Sequence, residues 1–329
     1  MSAQRVVFLH GLAPVLAERI VTVAPPGLQA QLVHRDASVA EQLAAIRDAD
    51  FLVLYRAPLL PEVMQAARRL RLVQLLASGY DGIPVDMLAG LGIACARNGG
   101  ANARAVADQA VLMMLALYRR LFQTDQDVRA GRWNAGISGL NTFEMAGKQV
   151  GIVGLGDIGK HVARRVQGFE AEVSYFNRTR LPAEMEKQLG VRYAPMDELF
   201  SGSDIVSLHI PNTPENRRLI DTECLARMKP SALLINTGRG EVVDETALVQ
   251  ALQTHRLAGA GLDVFEKEPV APDHPLLSLP NVVLAPHSAG TTADTWVRRG
   301  KFAYENIQRV LQGQVPLALV GTVQPRAAV

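Results

Sequence analysis

Val150-Gly151-Ile152-Val153-Gly154-Leu155-Gly156-Asp157-Ile158-Gly159 is an apolar run that turns into glycines and then into the helical pattern of Lys160 to Gln167. It reads as a strand, a tight turn and a helix start. The spacing Gly154-x-Gly156-x-x-Gly159 suits a dinucleotide loop, with one glycine for the turn, one for backbone approach to a pyrophosphate and one for close helix–strand packing. Amides at the exposed helix N-terminus, with its positive dipole end, would hold the phosphates. Ordinary turns also carry such glycines, and context separates the two readings. A strong strand precedes the loop, an amphipathic helix follows it, and a second strand, Ala171 to Phe176, ends where an adenosine ribose would lie.

The end of that second strand bears on the choice of cofactor. A fingerprint for NAD places an acidic residue there to accept hydrogen bonds from the ribose hydroxyls. This chain has Asn177-Arg178-Thr179-Arg180 instead. A carboxylate would repel a 2′-phosphate and an arginine can grip it with two parallel hydrogen bonds, so the replacement favours NADP(H), with NAD(H) still possible. The competing reading is a solvated loop with two surface arginines.

With 329 residues the chain is long enough for two domains that each bury a core, and its 48% hydrophobic and 20% charged content is that of a soluble globular protein. A formal net charge of +2 argues for neither nucleic acid nor a membrane surface as partner, so any attraction of anions must be local. Cys95 and Cys224 are too few for a disulfide framework and fit a reducing compartment. The chain enters a strand at Arg5 to Leu9, which leaves no room for a signal helix, and no apolar run is long enough to span a bilayer. A cytoplasmic location is the expectation.

Residues 1 to about 100 alternate strand-like runs (Val6 to Leu9, Leu32 to His34, Phe51 to Tyr55, Leu72 to Leu76, Ile93 to Ala96) with helical stretches, a rhythm that implies a parallel sheet with crossover helices. Its first strand runs into the plain loop His10 to Pro14, so this unit is an α/β domain built for something other than a dinucleotide. The fourth strand runs into Ala77-Ser78-Gly79-Tyr80-Asp81-Gly82. That loop is either an ordinary turn or a set of backbone amides that hold a carboxylate. Asn102 to Phe122 reads as one long helix whose Val106, Ala110, Met113, Met114 and Leu117 form a buried face; its methionines are core, and the role of Trp133 beyond it is open.

The second unit continues through strands at Ile205 to Ile210, Ala232 to Asn236, Gly259 to Val264 and Val282 to Ala285, and a last helix, Thr291 to Gln312, is expected to return to the first domain. In a parallel sheet the strand ends share one edge, where Arg239, Asp263, Glu268 and His287 would converge above a nicotinamide. Reduction of a 2-keto acid needs a cation for the substrate, a proton donor and a hydride source. Arg239 suits the first task through its planar fork of donors, and His287 suits the second through its titration range. Glu268 would hold the imidazole and favour its charged form, and a reduced nicotinamide would supply the hydride. Singly, each residue reads as well as a surface or satisfied side chain; together, in the order Arg, Glu, His at successive strand ends, they read as a site. His10, His34, His161, His209, His255 and His274 form no ligand pattern, so no metal is expected.

The glycine block, Leu208 to Glu215, Asn236 to Gly240, Gly261 to Pro269 and Pro286 to Gly290 together resemble the signature blocks of the D-isomer-specific 2-hydroxyacid dehydrogenases, over nearly the whole chain. The resemblance implies an α/β fold of two domains. A flavodoxin-like substrate-binding domain is made of residues 1–101 and 292–329, and a Rossmann-type dinucleotide-binding domain, 102–291, is inserted between them, usually in a homodimer. It implies that Arg239 binds substrate, that Glu268 supports His287 and that His287 is the acid/base. Asp263 would contact the nicotinamide amide and the Ser78-Gly79 loop the substrate carboxylate. The implied cofactor contacts run through Gly154, Leu155, Gly156, Asp157, Ile158 and Gly159, then Asn177, Arg178, Thr179 and Arg180, then His209, Ile210 and Pro211, then Thr237, Gly238 and Arg239, and finally Asp263, His287 and Gly290. The arginine-bearing loop after Phe176 is similar to that of the NADP-preferring glyoxylate and hydroxypyruvate reductases of the family. Asp108 and Gly238 stand where Glu and Ala or Ser are more usual.

Three functions are compatible with these residues. The leading one is NADPH-dependent reduction of a small 2-keto acid, the second NAD-dependent oxidation of a D-2-hydroxy acid, and the third a dinucleotide-sensing, corepressor-like binding module. The sequence offers no long disordered tail in support of the third.

Overall fold

The computed structural model describes residues 4–133 and 135–322, without the side chains of Ile137 and Ser138. Two compact units divide the chain: residues up to Asn102 with those from Thr291 onward, and Ala103–Gly290.

The first unit is a sheet of β1 (Gln4–His10), β2 (Leu28–His34), β3 (Phe51–Tyr55), β4 (Leu72–Leu75), β5 (Ala94–Ala96) and a tail strand, Leu319–Val320. The order is β2-β1-β3-β4-β5-tail, the flavodoxin-like arrangement with one edge strand added. All pairs are parallel except the last, where Leu319 and Val320 run antiparallel to Ala96 and Cys95. Every residue of β3 and β4 is buried, as central parallel strands covered on both faces require. β2 starts four residues before the apolar run at Leu32, because its first half, Leu28 to Gln31, is an edge that keeps polar side chains in water.

The second unit contains β6 (Gln149–Val153), β7 (Glu172–Phe176), β8 (Arg192–Tyr193), β9 (Ile205–Leu208), β10 (Leu233–Asn236), β11 (Gly259–Leu262) and β12 (Val282–Leu284). All are parallel, in the order β12-β11-β10-β9-β6-β7-β8. The chain changes direction across the sheet between β6 and β9, the switch point of a Rossmann-type fold. The helices Ala103–Tyr118 and Asp157–Gln167 contribute Met113, Met114, Val162 and Val166 to the core on one face, and Leu199, Leu225, Leu248 and Leu252 fill the other. A Cβ on Gly261 of β11 would lie 2.8 Å from that of Met113, so the first of these helices rests directly on the strand.

The single helix expected over Asn102 to Phe122 is two, Ala103–Tyr118 and Leu121–Arg129. Arg120 takes a left-handed conformation (φ 47°), and the Phe143 amide donates to the Tyr118 carbonyl at 2.9 Å, which satisfies an orphan acceptor of the first helix end. No glycine or proline marks the break, so the apolar period ran on across it.

In the first unit the helix Ala293–Leu311 packs on the helix Pro14–Val21 and on β4. Buried Asn306 fastens this region. Its amide donates to Gln74 Oε1 (2.7 Å) and to the Leu317 carbonyl (3.0 Å), and its Oδ1 accepts from the Leu317 amide (2.7 Å). Gln74, also buried, donates to the Leu75 and Arg97 carbonyls. Asn306→Ala leaves several of these groups unpaired at about 1–3 kcal/mol each, so denaturant unfolding is expected to register a loss of at least ~2 kcal/mol. A loss under ~0.5 kcal/mol would show that water replaces the amide at little cost.

Candidate active site

The three fingerprint glycines have separate structural duties. Gly154 has φ +97°, and a Cβ there would lie 2.7 Å from the His209 carbonyl oxygen. Only glycine suits that position on both counts. A Cβ on Gly159 would lie 2.3 Å from the Gly154 carbonyl oxygen, which brings the helix Asp157–Gln167 tight against its strand. Around Gly156, the N-cap of that helix, no heavy atom lies within 4 Å of the Cβ position. The open side of Gly156 faces nothing that excludes a phosphate, and the helix start supplies donors for one. These residues fit a dinucleotide pyrophosphate.

The rest of the loop serves the fold. The Leu155 side chain is buried and its amide donates to Asn177 Oδ1 at 2.7 Å, which ties the glycine loop to the end of β7. Ile158 packs on the core, and Asp157 is exposed. The arginines after Phe176 differ. Arg180 makes two 2.8 Å hydrogen bonds to Glu186, lies over the Tyr193 ring, and shares Glu186 with the Tyr175 hydroxyl at 2.6 Å. Arg180 and Tyr175 hold the Glu186 carboxyl down at about 2. Arg178 and Thr179 are exposed, and the Arg178 charge acts on Glu215.

His209, Ile210 and Pro211 follow β9. The His209 ring contacts Ser207 Oγ (2.9 Å) and Thr237 Oγ1 (3.4 Å), and burial pushes its pKa down to about 3. It is therefore a neutral ring that joins the ends of β9 and β10. Ile210 closes against Gly154, and a Cβ on Gly238 would lie 3.1 Å from the Ile210 carbonyl oxygen.

Arg239 sits in the turn after β10. Asn236 shapes that turn from both sides, donating to the Arg239 carbonyl (2.9 Å) and accepting from the Gly238 amide (3.0 Å). Arg239 Nη1 donates to the Gly238 carbonyl at 2.8 Å. Gly240 was not among the residues singled out from sequence. A Cβ there would lie 1.9 Å from the Phe265 carbonyl carbon, so the arginine turn lies against the backbone of the segment that carries Glu268.

Asp263, buried at the end of β11, organises the histidine turn. Its carbonyl accepts from the His287 amide (2.7 Å), and its two carboxylate oxygens accept from the Ser288 (2.8 Å) and Ala289 (2.9 Å) amides. These bonds hold His287 at φ 51°. Burial raises the Asp263 carboxyl, against the pull of the two amides and of His287. Glu268 Oε2 lies 2.7 Å from His287 Nδ1, and Glu268 Oε1 accepts from the Phe265 amide (3.1 Å). Burial acts to raise the Glu268 carboxyl, but the His287 bond and charge, the Phe265 amide and the Arg239 charge bring it below its ordinary value. Glu268, His287 and the charge of Arg239 thus meet at the carboxyl edge of one sheet.

In the first unit Ser78 and Gly79 lie in the loop after β4, and Ser78 Oγ donates to Asn102 Oδ1 at 2.5 Å. Among the described residues no cluster of His, Cys, Asp and Glu has the arrangement of a metal site, and no helix is long and apolar enough to cross a membrane.

Residues 111–289 match the family model described as "D-isomer specific 2-hydroxyacid dehydrogenase, NAD binding domain". The chain is 42% identical to a glyoxylate reductase of Korarchaeum cryptofilum over 84% of its own length and 83% of the relative's. It is 41% identical to glyoxylate/hydroxypyruvate reductase B of Pectobacterium carotovorum over 77% and 80% of the two chains. Among solved structures it resembles an NADPH-dependent glyoxylate/hydroxypyruvate reductase from Sinorhizobium meliloti in complex with NADP and malonate, with a TM-score of 0.81, 30% identity and complete coverage of both chains. With the glycine loop, the Rossmann-type sheet and the Glu268–His287 pair in place, the chain is an enzyme of the D-isomer-specific 2-hydroxyacid dehydrogenase family.

Proposed function

We propose that the protein reduces a small 2-keto acid of the glyoxylate or hydroxypyruvate kind to the D-2-hydroxy acid, with NADPH preferred over NADH. The observation that carries this reading is the 2.7 Å contact between Glu268 and His287. A carboxylate on Nδ1 orients the ring and favours the imidazolium, which leaves Nε2–H to donate to the oxygen that becomes a hydroxyl. Arg239 binds the substrate's carboxylate and carbonyl through its fork of donors. On the family resemblance, the Ser78-Gly79 loop also takes a substrate carboxylate. Reduced nicotinamide, when bound, supplies the hydride. Asp263 acts through the turn that presents His287, beside any contact to the cofactor.

Arg178 is our choice for the 2′-phosphate, because Arg180 is committed to Glu186. A charge-assisted bidentate bond is worth enough to change a binding ratio about tenfold or more. We further propose a homodimer. Leu121, Phe122, Val128, Leu140 and Phe143 expose apolar surface along one stretch of the second unit, and Trp133 in the same stretch is 81% exposed. A run of large apolar side chains in water marks a contact surface.

Steady-state reduction of glyoxylate and hydroxypyruvate is expected to favour NADPH. Arg178→Ala should cut that preference roughly tenfold or more, while Arg180→Ala should chiefly lower thermal stability. Equal efficiency with both coenzymes in the wild type would favour the NAD-dependent alternative.

Arg239→Ala is expected to lower kcat/KM for the keto acid about 100-fold or more. Glu268→Gln removes the negative charge that stabilises the imidazolium, so its proton leaves at lower pH, and the alkaline loss of reduction should move to lower pH. An unchanged pH–rate profile would separate Glu268 from the proton donor.

Sedimentation should give twice the chain mass at micromolar concentration; a monomer there would refute the dimer.

A further inference from the structure

Glu268 lies in the long connection between β11 and β12, and that connection is held from outside by a residue with no place yet in the chemistry. Asp244 caps the helix Glu245–Gln253 by accepting from the Ala247 amide at 3.1 Å, which sets Glu245 at its first position. The Glu245 carboxylate then meets the β11–β12 connection twice. Oε2 accepts from the Glu266 amide at 3.0 Å, and Oε1 lies 3.1 Å from His274 Nε2. His274 Nδ1 accepts from the Leu276 amide at 3.3 Å, which leaves Nε2 as the nitrogen on the Glu245 side. Arg218 adds an ion pair of 2.9 Å to the Glu266 side chain.

We propose that Glu245 is a positioning residue for the Glu268–His287 pair: one carboxylate clasps Glu266 and His274, the two flanks of the segment that presents Glu268. The inference rests on the reading of Glu268 and His287 given above. Its logic is donor counting. The Glu266 amide donates to one carboxylate oxygen of Glu245, and His274 Nε2 lies at ion-pair distance from the other. A carboxamide has one acceptor oxygen, so Glu245→Gln can answer only one of these nitrogens and turns its NH2 toward the other. With the clasp gone, the segment around Glu268 keeps the Phe265 and Arg218 contacts but loses its tie across Glu266 to His274. The other charges near the proton donor are Asp263, which holds the Ser288 and Ala289 amides, and Arg239, whose charge acts on Glu268. Both residues are left unchanged in the variants.

The test is a double-mutant cycle between positions 245 and 268, with pH–rate profiles and a side-chain NMR titration of His287. Glu245→Ala is expected to lower kcat for keto-acid reduction roughly 10- to 100-fold, as small misplacement of a reacting group does. It should also move the alkaline limit to lower pH in the same direction as Glu268→Gln, and Glu245→Gln should fall between Ala and the wild type. The double variant Glu245→Ala with Glu268→Gln should be no worse than Glu268→Gln alone, because both act on one contact. Effects that multiply, or a His287 titration in Glu245→Ala identical to the wild type, would overturn the proposal. If Glu245→Ala does not fold, Glu245→Gln carries the same comparison. The NMR readout needs no turnover. A shifted His287 titration in a protein that reduces no keto acid would therefore overturn the proposed reaction and leave the clasp standing.

Discussion

The approach of the turn after β10 to the segment after β11 is the constraint on which the site depends. At Gly240 there is room for a hydrogen and nothing more, because Phe265 backbone fills the space a methyl group would need. Arg239 is the neighbour of that glycine on one side of the contact, and Glu268 is three residues from Phe265 on the other. The backbones that carry the two charged groups are therefore held against each other, and Arg239 is further held by its bond to the Gly238 carbonyl. The same device recurs at Gly154 and Gly238, where the β6 and β10 loops press on His209 and Ile210 after β9. Each close approach removes freedom from a loop that would otherwise move, and preorganised groups lose little entropy when a substrate binds.

Electrostatics then divides the two histidines of the second unit that lie at its carboxyl edge. His209 has hydroxyls for neighbours and no carboxylate, so desolvation wins and the ring stays neutral. His287 is partly exposed and its Nδ1 faces Glu268 Oε2 at 2.7 Å. Two rings of the same chemistry thus sit in different surroundings, one among hydroxyls that join the ends of β9 and β10 and one against a carboxylate. Asp263 supports the second by giving all its acceptors to the turn at His287, where it offsets the cost of a left-handed residue.

The parallel strands of the second unit were legible in the sequence, because buried parallel strands read as apolar runs, and the polar loops at their ends drew attention to Glu268 and His287; the order of the strands in the sheet was not legible. What stayed hidden depends on contacts between residues far apart in the chain. Gly240 looks like any turn glycine until Phe265 is folded over it. Glu245 looks like an ordinary first-turn acid of a helix until the Glu266 amide and His274 arrive. The break at Arg120 leaves no trace in composition, since it is stabilised by an amide from Phe143, more than twenty residues on. The tail strand was equally silent, as two residues of pairing with β5 have no periodicity to read.

Arg178 and Arg180 show the same limit in a single motif. As types they are identical, and both stand where an acidic residue would otherwise meet a ribose. The difference between them comes from Glu186, six residues past Arg180, whose carboxylate also takes the Tyr175 hydroxyl. An arginine already held by two hydrogen bonds to a carboxylate would have to break them to reach a phosphate, and doing so would strand the Glu186 charge beside Tyr175. Arg178 faces no such exchange, since the Glu215 charge reaches it without a hydrogen bond. The two hydrogen bonds to Glu186 therefore give Arg180 the task of holding the loop end in place, while Arg178 stays exposed at the end of β7.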